Sequence, residues 1–139
     1  MLSKLPHVGT TIFTTMSKMA GDYNAINLSQ GFPNFPVDSV LTSILEKNAT
    51  GNYHQYAPMQ GNSMLLSEIA KLINQSYGRT VLENEELLIT AGATQAIFTL
   101  IMALIDSDDE VVILDPSYDC YEPSVILAGG KPVRIPLRN

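Results

Sequence analysis

The chain has one cysteine, two histidines and only eight lysines and arginines among its 139 residues, and each scarcity removes a class of explanation. The lone thiol, Cys120, closes no internal disulfide and has no neighbours at metal-ligand spacing, which fits a reducing compartment. The basic residues are outnumbered by fourteen acidic ones, for a net charge of −6, which argues against nucleic acid or an anionic membrane as a partner. Long apolar runs are also missing. The longest, Ala96 to Ile105, includes Thr99 and is too short to span a bilayer. The opening MLSKLPHVGTT lacks the continuous apolar segment of a signal peptide. Asp106, Asp108, Asp109 and Glu110 have no histidine or rigid ligand spacing beside them, so they read as a solvated acidic turn and no metal is expected. With no repeat, low-complexity tract or flexible linker, the expectation is an acidic, soluble, cytoplasmic protein whose partners are small molecules.

What is present suits a globular domain. Apolar residues make up 45% and charged residues 16%, enough to build a core in a chain of this length. Helical spacing covers Thr10 to Ala20, with Gly21 as a stop, and Ala25 to Leu28 reads as a short strand. The segment SQGFPNFP then forces an irregular extended turn. Asp38 is a natural N-cap for a helix to about Lys47, with Val40, Leu41, Ile44 and Leu45 directed inward. A loop over 52–60 precedes a second amphipathic helix, Ser63 to Tyr77, closed by Gly78.

From Glu86 onward strands and helices alternate: strand Leu87–Thr90, helix 94–105, strand Val111–Leu114, helix 119–128, strand Pro132–Pro136. That order predicts an α/β fold with a parallel sheet, whose ligands bind beyond the carboxyl ends of the strands. Two turns fall there, in LLITAGAT (87–94) and in ILDPSY (113–118). The first can hold an anion: Gly92 and Ala93 leave room, backbone N–H groups converge at a helix N-terminus, and the Thr94 hydroxyl adds a bond. Taken singly, such a turn is more often just a tight strand-to-helix connection than a phosphate site.

Four blocks in order, NLSQGFPNFP (27–36), YAPMQG (56–61), TAGATQA (90–96) and DPSYDCY (115–121), with the opening VGTTIFTTM (8–16), resemble the class I, fold-type I pyridoxal-phosphate (PLP) aminotransferases. The flavour is that of the methionine- and kynurenine-type enzymes. The resemblance implies the N-terminal part of a PLP-dependent transferase fold, with residues 1–35 as arm and part of the small domain. Residues 36–139 would be the first part of an incomplete large domain. It also implies roles. Gly92, Ala93 and Thr94 would cradle the PLP phosphate, and Tyr118 would lie over the pyridine ring. Tyr56 would reach the phosphate of a partner subunit, which implies a homodimer in the intact family. Gly31 would lie beside the substrate carboxylate, and Phe13 or Ile12 would line an apolar side-chain pocket.

The implied activity is transfer of an amino group from an apolar, aromatic or sulfur amino acid to a 2-oxo acid. In the family a Schiff-base lysine, an acidic partner for the pyridinium nitrogen and an arginine for the substrate carboxylate complete the site. None of Lys4, Lys18, Lys47, Lys71 and Lys131 stands in the lysine motif, and Arg79, Arg134 and Arg138 are misplaced for the clamp. No catalytic residue is therefore assigned, and the chain alone is expected to be inactive. The alternatives are a non-catalytic PLP- or phosphate-binding module, a subunit completed by a separate chain, and a poorly folding remnant. A Rossmann-type site is weaker, because 90–96 lacks the spaced G-x-G-x-x-G pattern.

Overall fold

The computed structural model describes residues 2–138. They form two compact units, one made of the residues up to Gly31 together with those from Ala91 onward, the other of Phe32–Thr90.

The first unit begins with helix α1, Ile12–Asp22. Its N-cap is Thr11, whose hydroxyl oxygen accepts the Thr14 N–H at 3.3 Å. The helix runs through Gly21 and stops at Tyr23, whose N–H donates to Met19 O at 3.0 Å. The strand expected at Ala25–Leu28 does not form. Instead Asn27 donates its side-chain amide to Ser17 Oγ (3.0 Å) and accepts from the backbone and hydroxyl of Ser29 (3.0 and 2.6 Å). Ser17 in turn donates to Gln30 (3.2 Å). A local side-chain network has replaced a ladder, the usual competition where Asn and Ser are dense.

The second unit carries α2 (Ser39–Ala49), α3 (Ser63–Tyr77) and the short α4 (Glu83–Glu86). Asp38 caps α2 as expected, accepting the Val40 N–H at 2.7 Å. Its apolar face is a correction: Val40, Leu41, Ile44 and Leu45 are all exposed, because no other element among the described residues packs on them. Asn62 caps α3 through Met64 N (2.9 Å) and the helix has the expected limits. Leu66 on its inner face is buried. Helix α4 was not expected. It forms because Glu86 reaches back to the Leu82 N–H (2.7 Å), satisfying a donor that the helix start leaves open.

Residues 87–90, expected as a strand, are extended at Leu87 but pair in no ladder among the described residues. Their anchor is Gln60, whose carbonyl accepts the Ile89 N–H (2.9 Å) and whose side-chain amide donates to Glu83 O (3.1 Å) and Leu87 O (2.8 Å).

The remainder of the first unit is a strand–helix–strand unit preceded by α5, Ala93–Leu104. Strands β1 (Glu110–Asp115) and β2 (Lys131–Pro136) are parallel, with Ile113 opposite Arg134 and Asp115 opposite Pro136. Helix α6, Tyr121–Ala128, connects them and packs against both strands and α5. Val125 of α6 is fully buried at 0% exposure, which contributes about 1.5–3 kcal/mol for a side chain of this size. Ile113 of β1 lies in the same core. The acidic turn before β1 closes on itself and on the strand ends: Asp109 accepts the Asp106 N–H (2.9 Å), and Asp108 pairs with Lys131 (2.9 Å). No helix among the described residues is long and apolar enough to cross a membrane.

Candidate functional site: the helix α5 turn and Tyr118

The turn before α5 is built by one backbone conformation. Gly92 sits at φ 86°, ψ 167°, a region that essentially only glycine occupies. This turns the chain so that α5 starts at Ala93, and no side chain caps the helix. The first N–H groups of a helix have no partner within it and carry the positive end of its dipole. A Cβ built on Gly92 would meet nothing within 4 Å, so there is open space over the turn. Gln95 ties the turn shut from the other side, its Oε1 accepting the Ala91 N–H at 2.5 Å.

Tyr118 follows β1 in the loop that starts with the cis Asp115–Pro116 peptide. It is 46% exposed. Its ring meets Tyr121 edge to face, with centroids 5.9 Å apart and planes at 84°, a favourable aromatic geometry. Its hydroxyl lies 3.1 Å from Thr94 Oγ1. Residues 24 positions apart in sequence thus meet beside the Gly92 turn. A cavity of about 310 Å³ adjoins Tyr118, lined also by Asp115, Asp119, Glu122 and Arg134.

Of the sequence-derived candidates, Gly92, Ala93, Thr94 and Tyr118 are brought together. Gly31 is exposed, and a Cβ there would meet nothing within 4 Å. Phe13 is half-buried in the first turn of α1. Neither lines the cavities beside Tyr118. Tyr56 belongs to the second unit, where its side chain is fully exposed (103%). Two residues at the site had no assigned role in the sequence reading. Gln95 closes the turn, and its place in TAGATQA was the available signal. Arg134 crosses from β2 to Glu122 and Asp115; no local motif announces a pairing that depends on strand register. The Arg134 guanidinium is held above its ordinary pKa by its hydrogen bond and charge pairing with Glu122, then by Asp115. Burial, then the nearby Asp119 charge, pushes the Cys120 thiol up, which favours its protonated form.

The arrangement is a glycine turn, a hydroxyl and an aromatic face on adjoining loops, at the carboxyl end of a parallel strand. The sequence profile of the family "Aminotransferase class I and II" matches residues 23–139. The chain belongs to this family. It is 44% identical over 136 residues to the methionine aminotransferase of Escherichia coli K12, covering 98% of this chain and 35% of that protein. It is 39% identical over 129 residues to rat kynurenine–oxoglutarate transaminase 3, covering 92% of this chain and 28% of that protein. Among solved structures it superimposes on E. coli YbdL, described as having a methionine aminotransferase function, with a TM-score of 0.92 at 44% identity. That match covers 99% of this chain and 36% of the other. The chain thus spans about a third of the length of these relatives, and the fold is the N-terminal part of the fold-type I aminotransferase architecture.

Proposed function

We propose that this chain supplies the phosphate- and ring-holding part of a PLP-dependent aminotransferase acting between an apolar, aromatic or sulfur amino acid and a 2-oxo acid. The observation that carries the reading is the junction of the Gly92–Thr94 turn with Tyr118, closed by the 3.1 Å hydroxyl contact. The residues fit the group. The open space over Gly92 accommodates a phosphate, the N-terminal N–H groups of α5 and the Thr94 hydroxyl are donors, and Tyr118 offers an aromatic face. When bound, PLP acts as the electron sink that lets the amino acid's α-carbon lose a proton. In this reading Gly92, Ala93 and Thr94 bind and orient the phosphate, and Tyr118 fixes the plane of the ring. Gly31 lies beside the substrate carboxylate, and Phe13 contributes to the side-chain pocket.

The reading extends to the assembly. Tyr56, exposed in its loop, reaches the phosphate of a second subunit in a cytoplasmic homodimer. Residues 1–35 serve as arm and part of the small domain, and 36–139 form the first part of the large domain. None of the five lysines stands in the family's Schiff-base motif, so in this reading the chain alone binds PLP without turnover. The test is to titrate the 139-residue chain with PLP, following cofactor absorbance and fluorescence, and then to assay methionine and phenylalanine with a 2-oxo acid. Saturable binding without transamination is expected. Turnover would overturn the assignment of inactivity, and absence of PLP binding would overturn the site.

A further inference from the structure

We infer that Tyr118 is a positioning residue for the phosphate as well as a surface for the ring: its hydroxyl acts through Thr94. This rests on the reading of the Gly92–Thr94 turn as the PLP phosphate site. The two oxygens are 3.1 Å apart and either can be the donor. Each hydroxyl carries one proton and can accept through its lone pairs. A phosphate oxygen facing the turn only accepts, so Thr94 must spend its single proton on the anion. The proton between the two side chains then has to come from Tyr118. The opposite direction would turn Thr94 lone pairs toward a negative charge. An anion therefore selects one orientation: Tyr118 O–H donates to Thr94 Oγ1, and Thr94 O–H donates to the phosphate. Bonds in such a chain polarise one another, so the first strengthens the second.

Two further features support this arrangement. Gly92 provides no side-chain cap, and Thr94 is the one hydroxyl residue in the sequence Ala93–Ala96, so the helix start has a single hydroxyl to orient. The Tyr118 ring is braced edge-on by Tyr121 at 5.9 Å, which sets where its hydroxyl can reach.

The test measures dissociation constants of the 139-residue chain for PLP, inorganic phosphate and pyridoxal, with Tyr118→Phe, Thr94→Val, Thr94→Ser and the Tyr118→Phe/Thr94→Val and Tyr118→Phe/Thr94→Ser double variants. Tyr118→Phe keeps the ring. It is expected to weaken PLP and phosphate about five-fold, the scale of one net hydrogen bond, and to leave pyridoxal unchanged. Thr94→Val should weaken PLP and phosphate at least as much, and the Tyr118→Phe/Thr94→Val double variant should be no weaker than Thr94→Val. Thr94→Ser, which restores the hydroxyl, should restore the sensitivity to Tyr118→Phe. Thermal melts identify any variant that fails to fold, and Thr94→Ser then carries the comparison. The relay is overturned if Tyr118→Phe has no effect, if it weakens pyridoxal equally, or if the two substitutions add independently. If the unsubstituted chain binds PLP no better than pyridoxal, the phosphate reading itself falls, a result distinct from failure of the relay.

Discussion

Arg134 holds Glu122 with two N–H groups, Nε to Oε1 at 3.2 Å and a terminal nitrogen to Oε2. A third nitrogen lies 3.6 Å from Asp115. One guanidinium on β2 therefore ties the end of β1 to the first turn of α6, the two ends of the loop that carries Tyr118. Exposed ion pairs add little to global stability because water and salt screen them, so the consequence lies in local order. Arg134→Met and Arg134→Lys should both speed amide hydrogen exchange over 117–121 while moving the melting temperature little. Lysine keeps the charge but lacks the planar fork. Exchange unchanged in both variants would remove this role from Arg134.

The cost of replacing Gly92 is one of backbone conformation. No atom would crowd a Cβ there, yet φ 86° with ψ 167° is closed to side-chain-bearing residues. Gly92→Ala should therefore destabilise the first unit by about 1–3 kcal/mol. It should also shift the α5 start, weakening PLP binding beyond what the loss of stability explains. Denaturant melts and PLP titration measure the two effects. A variant as stable as the parent would mean the turn relaxes without penalty.

Acid should act on the second unit through Glu86. The Leu82 N–H first, and Arg79 at 2.7 Å next, hold this carboxyl below the ordinary carboxylate range. A carboxyl whose pKa is lower in the folded state stabilises fully above its unfolded pKa, about 4.3 for glutamate. That contribution is lost as pH falls through the folded value. Stability of the unit should decline below about pH 4.3, and Glu86→Gln should flatten that decline while lowering stability at pH 7. Equal acid sensitivity in the variant would assign the loss to other groups.

The parts of the fold legible in the sequence were those fixed by local chemistry. Asp38 announces the start of α2, apolar spacing the extent of α3 and Gly78 its end, and the alternation of short apolar strands with a helix the β1–α6–β2 run. The failures share a cause. Ala25–Leu28 and Leu87–Thr90 have strand composition, but a strand exists only when a partner pairs with it, and neither pairs in a ladder among the described residues. The inward face expected on α2 failed for the same reason, since a helix pattern marks an apolar stripe without supplying what covers it. At the site, the Gly92 turn was readable because only glycine suits it. The contact between Thr94 and Tyr118 was not, because it depends on how α5 and the end of β1 are placed in space.

Gln60 shows how a family block can serve structure more than chemistry. It is the penultimate residue of YAPMQG, and its side-chain amide donates to two carbonyls, Glu83 O and Leu87 O, that belong to α4 and to the extended segment after it. Its own carbonyl takes the Ile89 N–H. The next residue, Gly61, has φ 125°, and a Cβ there would lie 2.8 Å from Ile89 Cβ and closer still to Cγ1. The segment leading to Gly92 is thus clamped by one amide and one close approach. Gln60→Leu removes both side-chain bonds, and each part-buried carbonyl left unpaired costs about 1–3 kcal/mol. Gln60→Glu should be worse at pH 7, because an ionised carboxylate has no proton to donate and sets negative charge against two carbonyl oxygens. The expected order of stability is parent, Gln60→Leu, Gln60→Glu. At pH 3 the glutamate protonates and regains one donor, so the two variants should converge. Denaturant melts at both pH values check this. A Gln60→Glu variant as stable as the parent at pH 7 would mean that the two carbonyls find other partners and that the amide clamp is dispensable.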